Sequence, residues 1–184
     1  MSKKILILGG ARSGKSTYAE KLAAEIGGDS VLYVATAEAG DDEMRSRIKK
    51  HQSERPSTWD TLEAPIEIGE RIKKEWTGQS CILIDCLTLL VSNILLDNPE
   101  IEDTTVDANL VQEKVLLELK SLITAVDNLD TSTIMVSNEV GLGLVPPYEL
   151  GRIYRDVLGR ANQYMASNVN DVYFLVAGLP MKVK

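Results

Sequence analysis

The stretch Ile5-Leu6-Ile7-Leu8-Gly9-Gly10-Ala11-Arg12-Ser13-Gly14-Lys15-Ser16 decides the fold. Its first four residues are a short, fully apolar run, the pattern of a strand buried on both faces. Gly9 to Ser16 then follows the spacing Gly-x-x-x-x-Gly-Lys-Ser/Thr. The chemistry of phosphate binding needs these residues at this spacing. Glycines let successive backbone N–H groups turn inward around phosphate oxygens. Lys15 reaches the terminal phosphates, and the Ser16 hydroxyl is a ligand for Mg²⁺. A helical pattern from about Ser16 to Ile26 follows, so the positive end of that helix adds to the cradle. Such a motif also occurs by chance as a glycine-rich turn. Here it stands between a strand and a helix, which is the context the function requires.

The same alternation continues along the chain. Val31-Leu32-Tyr33-Val34-Ala35, Cys81-Ile82-Leu83-Ile84-Asp85, Thr133-Ile134-Met135-Val136-Ser137 and Val172 to Val176 read as further buried strands. Trp59 to Glu63 looks extended, and Met181 to Lys184 suits a short edge strand. Helices are expected from Asp41 to about Glu54, from Pro65 to about Trp76, and over Leu87 to Leu96. Two more are expected from Val111 to about Val126 and from Tyr148 to about Ala166, the last weakened at Gly151 and Gly159. Asp97 to Asp107 is acidic and reads as a surface loop. Apolar strands separated by helices mean a P-loop NTPase-like three-layer α/β sandwich with a mostly parallel central sheet. No linker or repeat interrupts it, so residues 1–184 read as a single nucleotide-binding catalytic domain.

Composition narrows the function classes. The chain has 184 residues, 20 Lys and Arg against 27 Asp and Glu, and a formal charge of −7. That balance opposes a nucleic-acid surface but permits a small basic pocket. One histidine and two cysteines are too few for a structural zinc site. No apolar run reaches the roughly 18–20 residues of a membrane span. The start lacks a signal-peptide core. Cys81 and Cys86 flank an apolar strand, the pattern of free thiols in a reducing compartment, so a cytoplasmic protein is expected.

Two further positions carry possible chemistry. Asp85 ends the third apolar strand, at the carboxyl edge where open α/β sheets bind ligands. With the phosphate loop present it reads as a Mg²⁺ ligand, the cap of the helix that follows being the lesser alternative. His51 lies four residues from both Arg47 and Arg55, so on a helix the three share a face. Flanking guanidinium groups favour a neutral imidazole, whose free nitrogen can act as nucleophile or base. An ordinary histidine on a solvated basic helix fits the local pattern as well.

Larger blocks resemble one family. The loop as Gly-Gly-Ala-Arg-Ser-Gly-Lys-Ser followed by Tyr33-Val34-Ala35-Thr36-Ala37 resembles the opening of bifunctional adenosylcobinamide kinase/adenosylcobinamide-phosphate guanylyltransferases. So do Asp42-Glu43-Met44, Arg47-Ile48, His51, Arg55-Pro56, Trp59, Thr61 and Glu63. Asp85-Cys86-Leu87-Thr88 with Asn93 is similar too, as is Asn138-Glu139-Val140-Gly141 with Gly143 and Val145-Pro146. Arg155-Asp156 with Gly159 and Asn162, and Ala177-Gly178-Leu179-Pro180, complete the likeness over nearly the whole chain.

The resemblance implies two reactions in cobalamin nucleotide-loop assembly. Adenosylcobinamide is phosphorylated, and GMP from GTP is then transferred to adenosylcobinamide-phosphate through a covalent GMP-histidine. His51 matches the histidine and Lys15 the phosphate-loop lysine. Nucleotide contacts are implied for Gly9, Gly10, Ala11, Arg12, Ser13, Gly14, Lys15 and Ser16, for Ala35, Thr36 and Ala37, for Gln52, Ser53, Glu54 and Arg55, and for Glu63 and Asp85. Glu63 suits the guanine N1–H and amine, although by itself it reads as a surface strand residue. Ser16 and Asp85 would hold Mg²⁺. Many relatives carry Glu where this chain has Asp85. GTP is the implied nucleotide, with ATP the alternative donor for the kinase step, and the family suggests a homotrimer. Two other readings remain open on the residues alone. One is an ATP-dependent P-loop small-molecule kinase without guanylyl transfer. The other is a non-catalytic nucleotide-binding regulatory module.

Overall fold

Apolar side chains that alternate across each strand create two faces, and each face recruits its own helices. The elements run β1 (Lys4–Gly9), α1 (Lys15–Gly27), β2 (Val31–Ala35), β3 (Asp60–Glu63), α2 (Ile68–Glu75), β4 (Cys81–Asp85), α3 (Leu87–Leu96), α4 (Ala108–Asp127), β5 (Ser132–Asn138), α5 (Glu149–Asn168), β6 (Asp171–Val176) and β7 (Leu179–Lys182). The computed structural model describes residues 2–37, 55–97 and 106–184. The expected helix from Asp41 to Glu54 lies outside the described residues, and with it Arg47, His51, Gln52, Ser53 and Glu54. Most of the acidic stretch from Asp97 to Asp107 does too.

The strands form one sheet in the order β3-β2-β4-β5-β1-β6-β7. Every pairing is parallel except the last, β6 with β7. Leu6, Val34, Ile82, Ile84 and Met135 project to the face covered by α2, α3, α4 and α5. Ile5, Ile7, Tyr33, Leu83 and Val136 project to the other, where Ala19 and Ala23 of α1 pack closely. Leu6, Ile7, Ile82, Leu83, Ile84 and Ile134 are fully buried, each worth roughly 1.5–3 kcal/mol. Helix α3 is apolar on nearly all sides because α4, α5 and β5 surround it.

Three expectations shift. Helix α2 starts at Ile68, not at Pro65. Glu67 adopts φ +56, outside the helical region. The first orphan N–H, of Ile68, donates 2.7 Å to Oε1 of Glu118 on α4, so the helix is capped by a neighbour, not by its own chain. Helix α5 runs unbroken through Gly151 and Gly159 to Asn168, because its buried face (Ile153, Val157, Leu158, Ala161, Met165) outweighs local propensity. The edge strand begins at Leu179, following a two-residue turn in which Ala177 and Gly178 both have positive φ, as tight hairpins need.

Candidate active site

Strand β1 ends at Gly9, and α1 opens at Lys15 with Gly14 as its N-cap. No side chain caps this helix and no acidic residue occupies its first turn. The N-terminal N–H groups are therefore left for an anion. Gly14 has φ +90, and a Cβ there would meet Gly178 Cα at 3.1 Å. The loop thus rests on the β6-β7 turn, reinforced by a 2.9 Å bond from Gly178 N to the Ser13 carbonyl. Lys15 Nζ donates to the Gly10 carbonyl at 3.2 Å, arching over the loop. Ser13 Oγ is buried and finds no hydrogen-bond partner among the described residues. Such an orphan is what a bound oxygen would satisfy. Arg12 is exposed with φ +57, at the outer rim.

The parallel register lines up the remaining candidates along the same edge. Ala35 pairs with Asp85 on one side and with Glu63 on the other. Gly9 pairs with Asn138 on β5, which separates the loop strand from β4. Glu63 stands four strands from Gly9, a span of about 19 Å at strand spacing. It is exposed, and its carbonyl accepts from Arg71 Nη1 at 3.2 Å.

Asp85 Oδ2 accepts a 3.2 Å bond from the Tyr33 hydroxyl. Burial, and then the neighbouring Asp85 charge, push that hydroxyl up from its usual range, so it stays a donor. The Arg55 guanidinium lies 3.3 Å over the Tyr33 ring, a cation–π contact. Its Nε is 3.9 Å from Glu20 Oε1, and its side chain is 7% exposed. Arg55 therefore reaches the nucleotide edge through Tyr33, not as a free cation.

Thr36 is fully buried. Its hydroxyl donates to the Cys86 carbonyl at 2.8 Å and accepts from Cys86 N at 2.7 Å. Its N–H donates to the Asp85 carbonyl at 3.2 Å, and its carbonyl accepts from Asn93 Nδ2 at 2.9 Å. With every polar group engaged, Thr36 clasps the ends of β2 and β4 together beside Asp85. Ala37 is half-buried just beyond it.

Several residues that carried only family likeness turn out to brace this edge. Asn93 also donates to the Pro65 carbonyl at 3.0 Å. Thr88 Oγ1 accepts from Asn138 N at 2.7 Å. Asn162 accepts from Ser137 Oγ at 2.7 Å and donates to the Asn138 carbonyl at 2.9 Å, tying α5 to β5. Glu139 N donates to the Gly9 carbonyl at 3.0 Å, while its carboxylate accepts from Gly141 N and Leu142 N. Their signal in the sequence is a polar residue at the end of an apolar strand or within an apolar helix.

These features agree with what the chain is similar to. The family described as cobinamide kinase / cobinamide phosphate guanyltransferase (CobU) matches residues 5–183. The chain belongs to this family. The bifunctional adenosylcobalamin biosynthesis protein CobP of Pseudomonas aeruginosa is 46% identical over 180 residues, 97% of this chain and 96% of that protein. The protein of the same description, CobU, from Escherichia coli is 40% identical over 182 residues, 98% of this chain and 99% of that one. Among solved structures, the ATPase domain of G40P superposes with a TM-score of 0.50 at 16% identity. It covers 94% of this chain and 68% of that one, and this likeness is one of fold. The cobinamide kinase / guanyltransferase family therefore has, in this chain, a P-loop NTPase-like α/β sheet.

The donor set at the edge fits Mg²⁺. This ion usually takes one or two carboxylates with waters and substrate phosphates, not an all-protein cage. Among the described residues there is no cluster of three or more His, Cys, Asp or Glu. One carboxylate, Asp85, and one hydroxyl, Ser16 at the helix start, are the matching groups. Cys86 is no rival ligand, because burial pushes its thiol up to about 11.

Proposed function

We propose that the chain phosphorylates adenosylcobinamide and then transfers GMP from GTP to the product, giving adenosylcobinamide-GDP and pyrophosphate. The observation that carries this reading is the family match over residues 5–183, joined to a phosphate loop that opens α1 at the carboxyl edge. Gly9 to Ser16 supplies backbone N–H groups and the Lys15 ammonium to the phosphates. Ser16 and Asp85 hold Mg²⁺, which when bound neutralises charge on the phosphate oxygens. Ala35 and Ala37 offer packing beside Asp85, and Thr36 keeps that carboxylate in place. Glu63, at the far end of the edge, accepts from guanine.

His51 is the nucleophile of the second reaction. A neutral ring nitrogen attacks the α-phosphorus, a P–N bond forms and pyrophosphate leaves. A phosphate oxygen of adenosylcobinamide-phosphate then attacks the same phosphorus, the P–N bond breaks, and the imidazole is restored. Gln52, Ser53 and Glu54 follow His51 in the chain and complete the nucleotide contacts, while Arg55 acts from behind Tyr33. GTP serves the transfer, and GTP or ATP the kinase step. A cytoplasmic homotrimer is the assembly this reading carries. No helix among the described residues is long and apolar enough to cross a membrane.

The test is product analysis with adenosylcobinamide, GTP and Mg²⁺. The wild-type chain is expected to yield adenosylcobinamide-GDP. His51→Ala is expected to stop at the phosphate, and Lys15→Ala to lose the phosphorylation step. A wild-type chain that binds GTP yet leaves adenosylcobinamide untouched would refute the reading.

A further inference from the structure

Between α5 and the carboxyl ends of β1 and β5 lies a groove of about 550 Å³. That volume falls in the range of ligand pockets. Leu8, Glu139, Arg155, Asp156, Gly159 and Asn162 line it. None of these was assigned to the nucleotide. The groove adjoins the phosphate loop directly, because its rim residue Glu139 donates through its N–H to the Gly9 carbonyl at 3.0 Å.

Gly159 is the informative residue. A glycine inside a helix weakens it relative to alanine, so one usually has a packing reason. Gly27, Gly69 and Gly151 have such a reason: a Cβ at each would meet an atom at 2.8 Å. A Cβ on Gly159 would meet nothing within 4 Å, and its φ is not in the left-handed region. Neither space nor backbone within the described chain requires a glycine there. What its missing side chain leaves open is the floor of the groove.

The lining says what could lie on that floor. Arg155 donates to Asp156 Oδ1 at 3.2 and 3.1 Å. Glu139 is satisfied by Gly141 N and Leu142 N at 2.8 and 3.1 Å. Arg160, also in the lining, donates to Gln112 Oε1 at 2.6 Å. With Arg155 on Asp156, Glu139 on backbone N–H groups and Arg160 on an amide, these side chains are already engaged. The wall suits an uncharged ligand rich in donors and acceptors better than a second polyphosphate. The turn leading away from Glu139 exposes Leu142 (83%), Leu144 (96%) and Val145 (64%), apolar surface that begins next in the chain to the lining residue Gly141.

We infer that this groove is the acceptor site, taking the amide-bearing arm of the corrinoid along Gly159, with the edge of the macrocycle over Leu142 and Leu144. The inference rests on the function proposed above, and it names the side from which the acceptor approaches the phosphates. The nucleotide lies along the strand ends toward β3, and the acceptor enters from the α5 side.

Gly159→Ala and Gly159→Leu in the full chain test this. Both replace glycine by better helix formers in open space, so melting temperature is expected to hold or rise. One added methyl group on a ligand-contacting floor is expected to raise the KM for adenosylcobinamide about tenfold, and the leucine to raise it further. The KM for GTP and the extent of covalent GMP labelling are expected to stay within about twofold. Acceptor KM values unchanged in both variants would overturn the inference while leaving the functional reading intact. So would an equal rise in the KM for GTP, or a change in native mass showing that a second copy fills the space. A wild-type enzyme inert toward adenosylcobinamide overturns the functional reading and the inference together.

Discussion

Thr36→Val isolates the clasp beside Asp85. Valine matches threonine in shape, so it removes the hydroxyl and little else. That hydroxyl holds both the Cys86 carbonyl at 2.8 Å and the Cys86 N–H at 2.7 Å in a fully buried position. Leaving a buried backbone group unpaired costs about 1–3 kcal/mol. Two such groups lose one shared partner, so the expected destabilisation is about 3 kcal/mol, within a range of about 2–6. For a chain of this size that is a drop of about 6–12 °C in melting temperature. Thr36→Ser keeps the hydroxyl and loses one buried methyl group, about 0.8 kcal/mol. Urea unfolding of the three proteins, with GTP binding measured at graded Mg²⁺, separates the two roles open to Thr36. The clasp predicts that valine lowers stability strongly, serine weakly, and that the Mg²⁺ requirement rises in step as Asp85 loosens. A Thr36→Val protein within about 0.5 kcal/mol of wild type, but with weakened GTP binding at every Mg²⁺ level, would refute the reasoning. It would return Thr36 to direct nucleotide contact.

Other substitutions follow from the same geometry. Gly69→Ala would set a Cβ 2.8 Å from the Ser121 carbonyl group and 2.9 Å from Leu122 N; a loss of about 1–3 kcal/mol is expected on urea unfolding, despite the better helix former. Asp171 is held below the usual carboxylate range by the hydrogen bond from Lys182 at 2.5 Å, and then by that from Lys3 at 3.1 Å. Its contribution to stability is therefore present above its unfolded pKa of about 3.9 and lost as pH falls through the lower folded value. Asp171→Asn should flatten the acid limb of the urea midpoint against pH, and an unchanged acid limb would remove the pair from the account. Cys81 and Cys86, pushed by burial up to about 12 and about 11, should resist alkylation at pH 7.5 until the chain unfolds. Rapid modification of Cys81 in the native protein would contradict its burial.

What was legible in the sequence follows from where the physical signal resides. The strands β1, β2, β4 and β5 are continuous apolar runs, and Gly9 to Ser16 carries its chemistry in its spacing, so both could be read locally. Pro65 misled because the start of α2 is set by Glu118, fifty residues away. Gly159 reads as a weak point, yet α5 passes through it because its buried face packs on the sheet and on α3 and α4. Tyr33 looked like one more residue of an apolar strand. Its role depends on the pairing of β2 with β4, which puts its hydroxyl on Asp85 and leaves its ring to Arg55. Thr36 was legible as a motif position but not as a clasp, since its partner Cys86 follows another strand, fifty residues on. Local pattern shows which residues are unusual; only the register shows what they hold.

The central claim is that GMP passes through His51, the one histidine in the chain. The most direct measurement is incubation with GTP radiolabelled at the α-phosphate and Mg²⁺, followed by denaturation and analysis of the protein. Label that is labile in acid, stable in base and absent from His51→Ala is expected. Label that persists in His51→Ala, or a wild-type protein that binds GTP and never becomes labelled, would contradict it.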